Sequence, residues 1–282
     1  MITAVNLLLW TTRLDEKSLP YAELLRNAGY EGVEVPIHQP DAAHHAAMGR
    51  RLRDLGLAVS TSTALPGPQA DFLSPDPAVR QAAADYLKAV VDSAHALGAD
   101  RLMGPLYQAL GAFTGLPPSD DERRRAADGL RVVADHAAAA GVALMLEPLN
   151  RFECHLVNTL EAGAMLAKAI GRPNVKLAYD TFHAQIEEKD PLGAITRYFP
   201  VIGHVHISEN DRGAPGTGHL PLRETVRRFL DLGYDRWFVV ESFGTALPDL
   251  AAATRCWRAT FGDETEVVAA GAKLFAEVRG TR

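Results

Sequence analysis

Four apolar runs in the second half of the chain each finish on a residue able to bind a metal ion. VALML precedes Glu147, VKLAY precedes Asp180, IGHV precedes His206 and WFVV precedes Glu241. Each run has the length and β-branched content of a buried strand. In a parallel α/β sheet the strand ends on one face converge, so these side chains can meet at one point. Three carboxylates and one imidazole suit a divalent cation that favours oxygen with some nitrogen. A lone acid after a strand is usually a helix cap or a solvated loop group. Four successive strand ends of ligand type are not explained one at a time in that way. Clustered carboxylates repel, and a divalent cation removes the repulsion by adding two positive charges. The set lacks thiolates, which disfavours structural zinc. The single imidazole makes Mn²⁺ the expected ion, with Mg²⁺ or Co²⁺ as alternatives.

The elements that must carry these residues follow a rhythm of helix, glycine, strand. It occurs at Ala28-Gly29, Leu55-Gly56, Leu97-Gly98, Ala140-Gly141 and Leu232-Gly233. Glycine accepts the left-handed backbone just past a helix end, and a short joint of this kind links βα repeats. Eight strand cores are expected: Val5–Leu9, Gly32–Val35, Leu57–Ser62, Arg101–Gly104, Val142–Glu147, Val175–Tyr179, His204–Ile207 and Trp237–Glu241. The clearest helices are Ser18–Ala28, Ala42–Leu55, Pro77–Leu97, Asp120–Ala140, Thr159–Ile170 and Leu222–Leu232. Eight alternations predict an α/β fold, a closed (β/α)₈ TIM barrel. An open doubly wound sheet is the alternative, but the loop after its first strand would carry a Gly-rich phosphate fingerprint, and here it reads TTRLDEK. We expect one domain over residues 1–282: a barrel over about 1–260 and an appended amphipathic helix over about 264–278. That helix could close the barrel bottom or reach a partner subunit.

The 282 residues fit one such barrel. A net charge of −6 argues against nucleic acid as a partner, because nucleic-acid binders usually carry a basic stripe. Arg123, Arg124 and Arg125 read as a solvated helix face. The two cysteines, Cys154 and Cys256, form no disulfide or zinc pattern and suit a reducing cytoplasm. No apolar stretch is long enough to span a membrane. The apolar start of the chain, with no basic residue before it, reads as a first strand and not a signal peptide.

Other residues have narrower readings. His204 and His206 alternate on one strand face; His206, nearer the strand end, is the expected ligand, and His204 an interior hydrogen-bonded histidine. His44 and His45 read as surface residues of a helix. The loop Asn210–Pro221, with Gly213, Pro215, Gly216 and Gly218, reads equally as a lid or as an ordinary long loop. Trp10, Leu106 and Phe243 follow strand ends and are expected as an apolar substrate wall.

The strings EPLNRFE (147–153), DTFH (180–183), HVHISENDRGAPGTG (204–218) and VVESF (239–243) resemble the ketose 3-epimerases, the D-tagatose and D-psicose 3-epimerase group of the xylose-isomerase-like barrels. The likeness is strong in the second half. In the first half it extends only to the barrel rhythm and to GPLY (104–107). It implies that Glu147, Asp180, His206 and Glu241 are metal ligands. It implies that Glu153, His183 and Arg212 bind substrate and that Glu147 and Glu241 move protons. It also implies a free ketose as substrate (of D-tagatose, D-psicose, D-fructose or L-ribulose type) and a homodimer or homotetramer.

The chemistry fits those roles. Inverting the carbon beside a ketone needs its proton removed from one face and returned on the other. A divalent ion stabilises the enediolate between those steps, and two carboxylates serve as base and acid. The alternatives are an aldose–ketose or hydroxypyruvate-type isomerase and an inosose-type dehydratase on the same barrel. A metal-dependent phosphodiesterase would want more histidines and a basic face, and a sugar-binding module would not need paired carboxylates at a metal.

Overall fold

The structure, a computed structural model, describes residues 1–280. Strands β1 (Ile2–Asn6), β2 (Gly32–Pro36), β3 (Ala58–Ser62), β4 (Arg101–Gly104), β5 (Ala143–Leu146), β6 (Val175–Asp180), β7 (Ile202–Ile207) and β8 (Trp237–Val240) pair in parallel in chain order. β8 pairs with β1 and closes the barrel. The helices are α1 (Leu19–Asn27), α2 (Ala42–Asp54), α3 (Pro77–Leu97), α4 (Asp120–Ala139), α5 (Leu160–Ile170), α6 (Thr181–Glu187), α7 (Pro191–Tyr198), α8 (Leu222–Asp231), α9 (Pro248–Thr254) and α10 (Glu264–Arg279). This is the TIM barrel with a C-terminal helix read from the sequence. Gly29, Gly56, Gly98, Gly141 and Gly233, the five glycines of the helix-to-strand joints, all have positive φ, between 70° and 93°. Among the described residues no helix is long and apolar enough to cross a membrane.

The first strand is corrected. The apolar run Val5–Leu9 does not continue as strand; β1 ends at Asn6, and Leu7–Leu9 form a 3₁₀ turn. The Asn6 side chain accepts from the Leu8 N–H at 2.9 Å and caps that turn. Hydropathy alone cannot separate a buried strand from a buried turn.

Alternation along the strands sorts two environments. Val33, Val35, Tyr179, Val205 and Phe238 face outward and pack with the helices in the main core. The barrel interior is closed at the strand starts by Ile2, Ala4, Ala58 and Trp237, with Met103, Met145 and Ala178 on the far wall. Above them it is polar: Asn6, Glu34, Ser60, His204 and His206 are all buried.

The β6–β7 ladder shifts register, so that Leu177 pairs with Ile202 but Ala178 with His204. Gly203 is the extra residue. A Cβ there would sit 2.6 Å from Met145 Sδ, inside the barrel. The bulge moves His204 and His206 onto the interior face, whereas strict alternation from outward-facing Ile202 would turn them outward.

Helix α10 lies against the barrel's outer wall. Its Val267, Val268, Phe275 and Val278 are buried. Tyr30 donates its hydroxyl to the Val268 carbonyl at 2.8 Å, and Phe275 packs on Tyr30 and Phe238. The sequence left this helix's place open, and its apolar face takes up the position of a barrel helix.

Candidate metal centre and active site

Glu147 follows β5, Asp180 ends β6, His206 is the penultimate residue of β7, and Glu241 follows β8. All four are buried. One ligand atom from each lies within 4.8 Å of the others. His206 Nδ1 is 3.3 Å from Glu241 Oε1, 3.7 Å from Glu147 Oε1 and 3.9 Å from Asp180 Oδ2. Asp180 has two tasks: Oδ1 accepts from the Phe182 N–H at 2.6 Å and caps α6, while Oδ2 faces the cluster. Among the described residues, His206 Nδ1 and Glu147 Oε1 are buried without a hydrogen-bond partner. Buried polar atoms are nearly always satisfied. Two orphaned lone-pair atoms facing one spot fit a cation, so the residues present suit a divalent metal.

Arg212 lies over the cluster. Its Nη1 donates to Glu241 Oε2 at 2.8 Å, to Asp180 Oδ2 at 3.0 Å and to Ser208 Oγ at 3.1 Å. Its guanidinium sits between the rings of Phe182 and Phe243, 3.9 Å and 4.9 Å from their centres. Arg212 takes a left-handed φ of 64°, a strained choice for a residue with a side chain. The loop enforces it. The fully buried Glu209 carboxylate accepts from the backbone N–H groups of Asn210 and Gly216. Gly218 packs so close that a Cβ would fall 2.3 Å from Glu209 Oε2. Residues 210–221 thus brace Arg212, and α9 contributes Asp249, Leu250, Ala253 and Thr254 to the cavity lining.

His183, on α6, accepts at Nδ1 from the Asn150 N–H at 3.1 Å, and its Nε2 lies 3.1 Å from Arg212 Nη2. Asn150 Nδ2 also donates to Glu153 Oε1 at 2.8 Å. The cavity above the cluster has a volume of about 330 Å³, at the small end of ligand sites. Glu147, Glu153, His183, Arg212, Glu241 and Phe243 all line it.

The charges are unevenly placed. Burial, reinforced by Glu241 and Asp180 against the pull of His206, raises Glu147 well above the usual carboxylate range. Burial also acts on Glu241, but the attraction of His206 and then Arg212 outweighs it and holds that carboxyl below its ordinary value. Burial pushes Asp180 up to about 6 against the pull of Arg212, with repulsion from Glu241 adding to it. Burial, then the charge of Arg212, keeps His183 well below its ordinary value and neutral. His206 is raised despite burial, by Glu241 and Glu34.

Several expected residues lie elsewhere. Trp10 and Leu106 are not among the described residues that line the cavity. Trp10 stacks on Tyr21 at 4.9 Å, and Leu106 is fully buried in the core. The apolar wall is made by Phe243 with Leu8, Met103, Leu110, Leu149 and Leu250. His45, expected on the surface, is buried, with Nδ1 2.6 Å from the Asp41 carbonyl.

Sequence reasoning missed Glu34, Asn6 and Ser60. Glu34 is fully buried in β2, with Oε1 2.7 Å from His206 Nε2. Burial opposes its charge, but the two imidazoles hold its carboxyl far below the ordinary range. The signal was available: in GVEV the acid alternates with two outward valines, so a buried strand must turn it inward.

The family of xylose isomerase-like TIM barrels matches residues 22–261. The ketose 3-epimerase of Arthrobacter globiformis is 31% identical over 92% of this chain and 90% of its own. A solved L-ribulose 3-epimerase superposes with a TM-score of 0.93 at 30% identity, covering 99% of this chain and 95% of the other. The D-allulose 3-epimerase of Methylomonas sp., solved in complex with D-allulose, gives 0.90 at 26% identity, covering 98% and 96%. With that likeness running through nearly the whole barrel, the chain belongs to the xylose isomerase-like TIM barrel family, in its ketose 3-epimerase branch.

Proposed function

We propose that this chain epimerises free ketoses at C3 with one divalent cation held by Glu147, Asp180, His206 and Glu241, Mn²⁺ being the expected ion. The observation that carries the reading is the pair of orphaned buried atoms, His206 Nδ1 and Glu147 Oε1, beside two further carboxylates at the foot of a sugar-sized cavity. When bound, the cation supplies Lewis-acid polarisation of the ketone and so acidifies the neighbouring C–H.

The side chains supply the rest. Glu147 and Glu241 follow β5 and β8, with β6 and β7 between them, a separation that supports an approach to the substrate from two sides. In one direction one carboxylate takes the C3 proton and the other returns a proton to the opposite face; in reverse the roles exchange.

His183 Nδ1 accepts from the Asn150 N–H, and Arg212 Nη2, which can only donate, lies 3.1 Å from His183 Nε2. A substrate oxygen at this edge of the cavity would accept from the guanidinium beside the imidazole. Glu153 is placed to accept from a sugar hydroxyl. Three glutamates line the cavity, and Arg212 is already shared between two carboxylates. A phosphorylated sugar would meet repulsion there, which favours unphosphorylated substrates.

The test is separate incubation of the Mn²⁺-supplemented protein with D-fructose, D-tagatose, D-psicose, L-ribulose, hydroxypyruvate and an inosose in D₂O, followed by NMR. The expected result is deuterium at C3 with the C3 epimer as product. Label at C1 or C2 with an aldose product would overturn it in favour of an isomerase, as would turnover of hydroxypyruvate alone. Dehydration of an inosose would point to a lyase.

A further inference from the structure

Glu34 reaches across the barrel from β2 to the two histidines of β7. Oε1 accepts from Asn6 Nδ2 at 3.0 Å and lies 2.7 Å from His206 Nε2. Oε2 accepts from Ser60 Oγ at 2.9 Å and lies 2.9 Å from His204 Nε2. Asn6 Oδ1 is committed to the Leu8 N–H, so its Nδ2 must face Glu34. Donors approach both carboxylate oxygens, which act only as acceptors when ionised. The nitrogen of His206 that faces Oε1 must therefore carry a proton. A neutral imidazole has one N–H, so a neutral His206 keeps a lone pair on Nδ1. That is the atom turned toward Glu147, Asp180 and Glu241.

We infer that Glu34 is a positioning residue: it holds His206 with its proton on Nε2, so that Nδ1 is free to ligate the cation, and its charge behind the ring strengthens that nitrogen as a ligand. The inference rests on the metal-centre reading above. It also divides the work of the two histidines. His206 ligates, and His204 packs against Trp237 with Nε2 2.9 Å from Glu34 Oε2 but outside hydrogen-bonding geometry, so the expected hydrogen-bonded interior histidine is buried without a bond. Asn6 ties the arrangement to a ligand, since its Nδ2 lies 3.2 Å from Glu241 Oε1.

Two measurements test this. In ¹⁵N-histidine-labelled protein loaded with diamagnetic Mg²⁺, His206 should carry its proton on Nε2; a proton on Nδ1 would overturn the inference without any mutation. In Glu34→Gln the charge behind the ring is lost, and the amide can turn its NH₂ group toward His206 Nε2, which releases the fixed tautomer. The Mn²⁺ dissociation constant should rise by about 10–100-fold, with circular dichroism unchanged. A folded Glu34→Gln protein within twofold of wild-type affinity would also overturn it. Asp180→Asn is the control for the underlying reading. If Asp180→Asn retains wild-type Mn²⁺ affinity, the metal centre itself is wrong. If it loses Mn²⁺ while Glu34→Gln does not, only the positioning role fails.

Discussion

Strands β5–β8 deliver Glu147, Asp180, His206 and Glu241 at or just past their C-terminal ends, whereas β1–β3 deliver Asn6, Glu34 and Ser60 behind them. Side chains of the first set leave atoms unpaired at the cavity floor; those of the second are fully engaged with one another and with His206. One half of the ring is built to be completed by something else, and the other holds that half in place. Substitutions in the two halves should therefore differ in kind as well as in size.

The largest effects are expected at the proposed acid–base pair. Glu147→Gln and Glu241→Gln should each lower deuterium exchange at C3 by about 10²–10⁴-fold with the fold retained. Exchange retained in both variants would refute the two-carboxylate scheme. Arg212→Ala should lower turnover by about 10²–10³-fold while Mn²⁺ content stays near one equivalent. Loss of metal with little change in turnover per bound ion would make Arg212 structural.

A proton-linked effect comes next. Asp180 is raised from 3.8 to about 6, so the folded metal-free chain binds this proton more tightly than the unfolded one. The stability this contributes is present below about pH 4 and lost as pH rises through about 6. A cation reverses the balance, because it binds the ionised form and releases the proton. The rise in Tm on adding Mn²⁺ should be small near about pH 5 and larger near about pH 7.5. A shift that is flat or inverted over that range would contradict the ligand set.

The smallest effects test the supporting half and the residues outside the cavity. Ser60→Ala removes one bond to Glu34 and should cost about 1 kcal/mol by denaturant titration, with a much weaker effect on Mn²⁺ affinity than Glu34→Gln. Trp10→Ala should cost about 0.5–1.5 kcal/mol beyond its buried area, from the lost stacking on Tyr21, and leave KM for ketose unchanged. A raised KM would return Trp10 to the substrate wall.

The same division explains what could be read in the chain. The candidate ligands were legible because each follows an apolar run, where a strand gives way to a loop and polarity is expected to mean function. Glu34 sits inside a run, where one acid among valines passes for an ordinary strand residue. Arg212 was legible only through its motif, because its place depends on the hydrogen bonds of Glu209 and the packing of Gly218, not on any period. Trp10 and Leu106 misled because hydropathy reports burial without saying against what.

Gly203 carries one more implication. Which compartment of the barrel receives the two imidazoles is decided by parity: one surplus residue in a single strand. Deleting it would swing both rings into the greasy layer under the helices and remove the imidazole from the candidate metal cluster, with each of its four residues still encoded. In this architecture the gain or loss of one codon at the start of a strand would decide whether the barrel holds an imidazole at its centre.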